Sequence, residues 1–200
     1  MKEFWEQRYA EEEYVYGTEP NTFLSSQHSL LRPGMKALVV GDGEGRNGAW
    51  LAQQGLDVMS VDYSQMGLNK AQALAKSKGV TLHTVHADLT HWSWPINEYD
   101  LVVAIFIHFS SDIRLRMHQA MLQALKPGGL LIMEAFTKEQ LKFKSGGPPV
   151  EDMLFTAKLL RNDFQSADIR LLEETYTTLN EGPFHSGEAA VVRLILKKPE

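Results

Sequence analysis

Residues 39–48 read VVGDGEGRNG, a run whose glycine spacing suits a ligand held against the backbone. Two templates fit it. A GxGxG loop at positions 41, 43 and 45 is typical of methyl-donor sites, whereas a GxGxxG fingerprint at 43, 45 and 48 is typical of hydride-carrying dinucleotides. In both, the absent side chains let the backbone approach a ligand closely. The competing interpretation is a tight turn that packs a helix onto a sheet.

Two acidic residues follow where a nucleoside can be held. Asp62 ends the second predicted strand, roughly 20 residues beyond the loop, where a carboxylate accepts hydrogen bonds from ribose hydroxyls. This suits any adenosine-containing ligand and does not separate the templates. Asp88 closes the third strand in the sequence HAD, where it accepts from an adenine amine or caps the next turn. Its neighbours Ala87 and Leu89 either sandwich the base or pack in the core.

Three further residues are candidates for acting on a second substrate. His108 ends the fourth strand and either faces the reacting group or hydrogen-bonds a loop backbone. Glu134 ends the fifth strand and either faces the ligand or caps the next loop. His185 lies between the last two strands and can reach the same region. Either histidine can serve as general base for an O–H or N–H acceptor, whereas a soft anionic acceptor needs no base.

The elements that must position these residues alternate between apolar runs and helical patterns, as in a parallel sheet built from strand–helix–strand units. Helices are predicted near 46–54, from a Ser64 cap to Gly79, from a Ser111–Asp112 cap to the KPGG stop at 126–129, and over 151–164. Strands are predicted over 36–40, 56–62, 81–88, 99–107 and 130–136.

The C-terminal third has a different pattern. Residues 137–150 form a long loop containing GGPP, and loops of that length are often functional. Strands at 169–179 and 189–198 should pair antiparallel because no helix fits between them. The fold class is therefore α/β: one domain over 1–200, a three-layer sandwich with a seven-stranded, mostly parallel sheet and a C-terminal antiparallel hairpin.

This tail favours the methyl-donor template. A dinucleotide fold needs a second half of parallel strand–helix units, and the chain supplies a hairpin instead. Asp42 and Glu44 lie inside the loop, where a pyrophosphate favours an uncluttered helix N-terminus. Two carboxylates suit a ligand that carries ammonium and sulfonium groups better than one that carries phosphates.

The order of glycine loop, Asp62, HAD, YDLVVAIFIH, LKPGG and terminal hairpin resembles the Rossmann-like (class I) S-adenosylmethionine-dependent methyltransferases over nearly the whole chain. More narrowly, the chain is similar to the small tellurite-resistance-related methyltransferases. That similarity is carried by WEQRY, YGTEPNTFL, GEGRN, EAF with QLKFKSGGPP, and EGPFHSGEAAVV.

The resemblance implies roles for these residues with S-adenosylmethionine as cofactor. Gly41, Gly43 and Gly45 would pack on its methionine and ribose portions, Asp62 would hold the ribose and Asp88 the adenine amine. The family carries an acid two residues before the first glycine, where this chain has Val39, so the way the ammonium group is held is altered. Asp42 or Glu44 could substitute for that acid.

Residues 1–24 are expected to form a lid over the cofactor. Arg8 could pair with the methionine carboxylate, while aromatic residues cover the zwitterion and exclude water. The alternative is an amphipathic helix packed on the sheet through Phe4, Trp5 and Tyr9. The aromatic residues of this segment that carry the expectation are Trp5, Tyr9 and Tyr16.

Composition limits the partners. The formal net charge is −5 without a long like-charge block, which argues against nucleic acid or a membrane surface. The absence of cysteine excludes disulfides and thiolate metal sites, and His83 and His86 point to opposite strand faces, so no metal is expected. No signal peptide or long apolar run is visible, which favours a cytoplasmic protein. The expected oligomeric state is a monomer or a homodimer.

The expected function is methyl transfer from S-adenosylmethionine to a small molecule, with a chalcogen oxyanion as one candidate acceptor. Two alternatives stay open. One is a non-catalytic binder of the cofactor that acts as a sensor, which Val39 favours. The other is an NAD(P)-dependent oxidoreductase using the fingerprint from Gly43 to Gly48.

Overall fold

The computed structural model describes residues 2–200, with side chains from residue 3 onward. Seven strands form one sheet in the order β3-β2-β1-β4-β5-β7-β6. The first five pair in parallel, and β7 pairs antiparallel with both β5 and β6. The predicted fold class is confirmed. The strands are β1 (Lys36–Val40), β2 (Asp57–Asp62), β3 (His83–His86), β4 (Tyr99–Ile105), β5 (Leu125–Phe136), β6 (Asp168–Asn180) and β7 (Ser186–Lys197).

Helices cover both faces of this sheet. Along β1, Leu38 and Val40 belong to one core cluster and Ala37 and Val39 to the other, because successive side chains of a strand point to opposite faces. Both faces are therefore buried, as the continuous apolar runs predicted. The helices are α1 (Lys2–Tyr9), α2 (Thr22–Ser26), α3 (Arg46–Gln53), α4 (Gln65–Ser77), α5 (Ser111–Ala124) and α6 (Ala157–Asp163).

The start of α4 follows the sequence prediction. Ser64 is its N-cap, and the hydroxyl of Ser64 accepts a hydrogen bond from the Gly67 backbone N–H at 3.1 Å. The prediction for α5 was wrong in detail, because Ser110 is the N-cap residue and makes no side-chain capping bond. The backbone N–H of Ser111, at the start of this helix, donates instead to the carboxylate of Asp152 at 2.9 Å, a residue distant in sequence.

The helix predicted over 151–164 was wrong in its first half. Glu151–Met153 is a short 3-10 turn, and the α-helix begins only after Thr156, whose hydroxyl accepts from the Leu159 N–H. Leu154 and Phe155 between them are fully buried, and Phe155 bridges to Thr137 beside β5. Burial of these two side chains holds the backbone extended where the local pattern suits a helix.

The KPGG segment was also misassigned, since β5 starts at Leu125 rather than after the glycines. Its pairing with β4 shifts register between Tyr99 and Leu101, so the extra residues form an irregularity inside the strand. Within residues 2–200, no helix is long and apolar enough to cross a membrane.

Candidate functional site

The glycine loop follows β1 at the carboxyl edge of the sheet. The strand order reverses here, because β2 lies on one side of β1 and β4 lies on the other. Gly41 and Gly43 have φ angles of +65° and +55°, which side chains rarely adopt. A Cβ on Gly41 would lie 2.7 Å from Cδ1 of Ile107, and one on Gly43 would lie 2.5 Å from the Tyr9 hydroxyl. Both glycines therefore present bare backbone to a space that side-chain ends now cover.

Gly45 and Gly48 serve packing between elements. A Cβ on Gly45 would lie 2.4 Å from Cβ of Ala71, so this glycine lets α3 approach α4. A Cβ on Gly48 would lie 2.4 Å from a carboxylate oxygen of Asp42 and 2.5 Å from Oγ of Ser60. Gly48 therefore lets α3 lie close to Asp42 and to Ser60 of β2. The Cβ direction of Gly45 is filled by α4, so the predicted contact of Gly45 with the cofactor would be made by its backbone.

Asp62 fixes the loop to the end of β2. Its Oδ2 accepts from the Gly43 N–H at 2.8 Å, and its Oδ1 accepts from the Ser64 N–H at 2.9 Å. Burial raises the pKa of this carboxyl, and these backbone hydrogen bonds partly offset the rise. Each oxygen keeps a second lone pair, so Asp62 can still accept from a ligand hydroxyl beside the bare backbone of Gly43.

Asp42 turns inward from the loop. Its carboxylate accepts from Ser60 Oγ at 2.5 Å and from the Gly48 N–H at 3.2 Å. Burial raises its pKa to about 7, and Asp62 adds to the rise. Val39, the residue that stands where the family carries an acid, is 1% exposed in the core. In this structure neither side chain extends over the bare backbone of Gly41 and Gly43.

Glu44 binds the N-terminal segment. Its Oε2 accepts from the backbone N–H groups of Val15 at 2.9 Å and Tyr16 at 3.3 Å, and its Oε1 pairs with Lys70 at 2.5 Å. The Lys70 ammonium also donates to the carbonyls of Glu11 and Glu13. The acids that sequence reasoning assigned to a ligand ammonium are thus both engaged by protein groups.

At the end of β3, Asp88 forms a turn. Its carboxylate accepts from the backbone and hydroxyl of Thr90, and Oδ2 lies 3.0 Å from Nδ1 of His91. Asp88 therefore caps this turn, which is the second of the two roles considered for it, and its carboxylate stays partly exposed. Leu89 belongs to the core cluster, and Ala87 packs against it. These contacts match the core-packing alternative for both residues.

Both nitrogens of His108 have protein partners. Nδ1 lies 2.7 Å from the Met153 carbonyl oxygen, and Nε2 accepts from the Phe136 N–H at 3.2 Å. This requires the neutral imidazole with its proton on Nδ1. Burial lowers the pKa of His108 to about 4, so the ring stays neutral at physiological pH. In the structure His108 hydrogen-bonds to backbone groups, as the second of its two interpretations proposed.

Glu134 is a buried anchor. Its Oε1 accepts from Nδ2 of Asn21 at 2.7 Å, and its Oε2 pairs with Arg193 on the neighbouring β7 at 2.6 Å. Burial raises its pKa, an effect that Arg193 and Asn21 partly oppose. Glu134 therefore connects the N-terminal segment with β5 and β7, rather than capping the GGPP loop.

Sequence reasoning missed the polar network around Asn21. Besides Glu134, its amide donates to Glu181 at 3.0 Å, while its backbone N–H donates to Oδ1 of Asn47 at 2.9 Å. Arg46 pairs with Glu181 at 2.7 Å. The network joins YGTEPN, GEGRN and EGPFH, motifs that supported the family resemblance. Their co-occurrence was the available signal, but no periodicity links residues up to 160 positions apart.

His185 lies at the centre of an aromatic group. Its ring centroid is 4.5 Å from that of Tyr16, 4.7 Å from Phe106 and 5.5 Å from Phe136. Its Nδ1 is 3.7 Å from a carboxylate oxygen of Glu181 and has no hydrogen-bond partner. Burial lowers the pKa of His185. Burial alone would raise the pKa of Glu181, but His185 and Arg46 outweigh it and lower the value to about 2.

Phe106, directly after β4, has a strained backbone conformation. Its φ of +53° is unusual for a bulky side chain. The N–H of Phe106 donates to the Glu134 carbonyl at 2.8 Å, and its ring stacks on Phe136 with centroids 4.5 Å apart. Strain of this kind is concentrated at functional sites, which supports a role for the region beyond β4.

The helix α1 covers the loop. Tyr9 is 5% exposed and lies between Gly43 and Gly67. The Glu6 carboxylate accepts from Ser64 Oγ and from backbone N–H groups at the start of α4. Arg8 donates to the Tyr16 hydroxyl at 3.0 Å. In the structure α1 is a helix docked on the glycine loop, and a lid role for residues 1–24 stays a prediction.

Groups of three or more residues suited to hold a metal ion are absent from the part of the chain that the structure describes. His83 instead lies 3.7 Å from the Asp57 carboxylate. His86 contacts the carbonyl of Tyr63.

Comparison with known proteins agrees with this geometry. Residues 37–129 match the family model described as a methyltransferase domain. An uncharacterized methyltransferase, YbaJ, from Bacillus subtilis is 31% identical over 100 residues, which are 50% of this chain and 39% of the relative. The chain spans between 39% and 59% of the length of this and similar curated relatives.

Two solved structures share the fold. TehB from Haemophilus influenzae superposes with a TM-score of 0.73 at 15% identity, over 98% of this chain and 66% of TehB. A SAM-dependent methyltransferase from Methanosarcina mazei superposes with a TM-score of 0.70 at 18% identity, over 90% of this chain and 99% of that protein. The predicted resemblance to class I methyltransferases is confirmed at the level of the fold.

Proposed function

We propose that the protein transfers a methyl group from S-adenosylmethionine to a small-molecule acceptor, a proposal supported by the match of residues 37–129 to the methyltransferase-domain model. The observation that carries the proposal is the bare backbone of Gly41 and Gly43 beside Asp62. The atoms nearest to a Cβ on Gly41 belong to the Ile107 side chain and those nearest to a Cβ on Gly43 belong to the Tyr9 side chain, so these two side chains would have to move to admit a ligand.

S-adenosylmethionine supplies an activated methyl group, so the task of the protein is alignment and exclusion of water. Asp62 would accept hydrogen bonds from the ribose hydroxyls through the lone pairs that Gly43 and Ser64 leave free. Gly41 and Gly43 would contact the methionine and ribose portions. Asp88, with Ala87 and Leu89 beside it, remains the proposed adenine end, since its carboxylate is partly exposed.

Of the two candidate histidines on the acceptor side, His185 is the one with a buried ring nitrogen that lacks a hydrogen-bond partner, whereas both nitrogens of His108 are bonded. For an acceptor with an O–H or N–H proton, we assign His185 as the general base. His108 and Glu134 hold the surrounding backbone and β7 through the contacts described above. A chalcogen oxyanion, as the similarity to tellurite-resistance enzymes implies, would need no base and only an aligned approach.

Calorimetry tests the cofactor. We expect micromolar binding of S-adenosylhomocysteine, the demethylated product, and no measurable binding of NADH or NADPH. The overlap of the two glycine templates makes this comparison necessary. Tight binding of a nicotinamide nucleotide, with none of S-adenosylhomocysteine, would overturn the proposal in favour of the oxidoreductase alternative.

Turnover tests the reaction. Release of S-adenosylhomocysteine should be followed across a panel of small acceptors that includes tellurite, selenite, phenols and amines. Turnover of any member establishes an enzyme, and the best acceptor class identifies the chemistry. Cofactor binding without turnover across the panel would favour the sensor alternative, to which the apolar Val39 lends support.

A further inference from the structure

Arg46 has an unused donor nitrogen inside the site. It is the first residue of α3, and its side chain is 7% exposed. Nη2 pairs with Glu181 at 2.7 Å, whereas Nη1 is buried without a hydrogen-bond partner. A buried charged donor that lacks an acceptor is costly, so this edge of the guanidinium is suited to a ligand acceptor.

The position of Arg46 matches one end of the proposed cofactor site. It directly follows the glycine loop, and its charge acts on Asp42 within that loop. It also acts on Tyr16 and His185, which lie on the acceptor side. The guanidinium is therefore close enough to both the glycine loop and the proposed acceptor region for its charge to act on each.

The other basic side chains near the loop, Arg8 and Lys70, have partners of their own. Arg8 donates to the Tyr16 hydroxyl, and its guanidinium lies 4.5 Å from the ring centroids of both Phe4 and Phe184. Lys70 bonds Glu44 and two backbone carbonyls. Arg46 by contrast keeps a free edge, at the start of a helix whose N-terminal N–H groups also favour an anion.

We propose that Arg46 binds the methionine carboxylate of S-adenosylmethionine through Nη1, and that Glu181 is the positioning residue that orients the guanidinium through Nη2. This inference rests on the proposed function, and it gives Arg46 the role that the sequence suggested for Arg8. A guanidinium can bind two carboxylates at once because its donors form a fixed planar fork. Arg8 then stabilises the closed lid through its aromatic contacts.

The test compares two ligands that differ in the amino-acid portion. S-adenosylhomocysteine carries the carboxylate, whereas 5′-methylthioadenosine has the same nucleoside thioether without it. Arg46→Gln should weaken S-adenosylhomocysteine roughly 10- to 100-fold, as expected for a buried charge-assisted hydrogen bond. The affinity of the Arg46→Gln variant for 5′-methylthioadenosine should stay within about twofold of that of the unmodified protein, since this ligand lacks the carboxylate.

Arg8→Gln is the matched control and should leave the ratio of the two affinities unchanged. Arg46→Gln alone leaves the Glu181 carboxylate unpaired. The double variant Arg46→Gln with Glu181→Gln removes both charges, and it should show the same selective loss of affinity for S-adenosylhomocysteine. Equal weakening of both ligands in both Arg46 variants, or selective loss in the Arg8 variant, would overturn the assignment. If the unmodified protein binds neither ligand, the proposed function itself fails and this inference fails with it.

Discussion

The carboxylate of Asp42 occupies the space that a side chain at Gly48 would need. A Cβ there would lie 2.4 Å from Oδ2 of Asp42, and the N–H of Gly48 donates to the same carboxylate. The acid and the glycine therefore require each other. This pair explains why the fourth glycine of the run is present although the fingerprint that needs it is not used.

Asp42→Asn should stabilise the protein, and the gain should be larger at pH 8 than at pH 5. Burial raises the folded-state pKa of Asp42 from 3.8 to about 7, so the folded state binds more protons than the unfolded state between these values. The contribution of Asp42 to the free energy of unfolding therefore falls as the pH rises from 3.8 to about 7. The loss is at most ~4 kcal/mol, because a tenfold change in proton affinity is worth ~1.4 kcal/mol.

Urea denaturation of both proteins at pH 5 and pH 8 checks this prediction. Asparagine can still accept from Gly48 and donate to Ser60, so the local bonds are preserved. A stability difference that is independent of pH would mean that Asp42 does not titrate in this window.

Gly45→Ala should destabilise the protein more than Gly34→Ala. Both glycines have positive φ, +83° and +85°, so both substitutions carry similar backbone strain. Position 34 has nothing within 4 Å of a new Cβ, whereas at position 45 it would meet Ala71 at 2.4 Å. The excess cost for Gly45→Ala is expected to be ~1–3 kcal/mol in chemical denaturation. Equal costs would show that α3 and α4 can separate freely.

Glu44→Gln should loosen the N-terminal segment. The substitution removes the charge that pairs with Lys70 and weakens the acceptor of the Val15 and Tyr16 N–H groups. Hydrogen exchange at these two amides is expected to accelerate about tenfold or more, in line with the loss of a hydrogen bond to a charged group. Glu12→Gln, at an exposed position, is the control and should leave both amides protected. Unchanged protection in the Glu44 variant would assign the anchoring to other contacts.

Asp62→Ala should reduce S-adenosylhomocysteine binding at least ~100-fold while unfolding remains cooperative. The variant loses both the proposed ribose contact and the bond that shapes the loop at Gly43. Asp57→Ala, at the exposed opposite end of β2, is the control and should bind normally. Calorimetry gives the affinity and thermal unfolding the integrity of the fold. Wild-type affinity in the Asp62 variant would show that the ribose is held elsewhere.

Local sequence signals predicted most of the sheet and the start of α4, because strand periodicity and the Ser64 cap act within a few residues. The error at 151–156 arose from tertiary contacts, since Leu154 and Phe155 are held extended by burial. For the site, the sequence correctly brought the loop and Asp62 together. It could not reveal that His108 and Glu134 are bonded by partners 28 to 113 positions away.

The network around Asn21 also constrains how the sequence can diverge. One side chain bridges Glu134 and Glu181, and its backbone rests on Asn47, so three distant motifs share a single set of hydrogen bonds. A substitution at one position leaves buried groups at the others without partners. These positions should therefore covary among homologues, changing as a set or not at all, even where the surrounding loops vary in length.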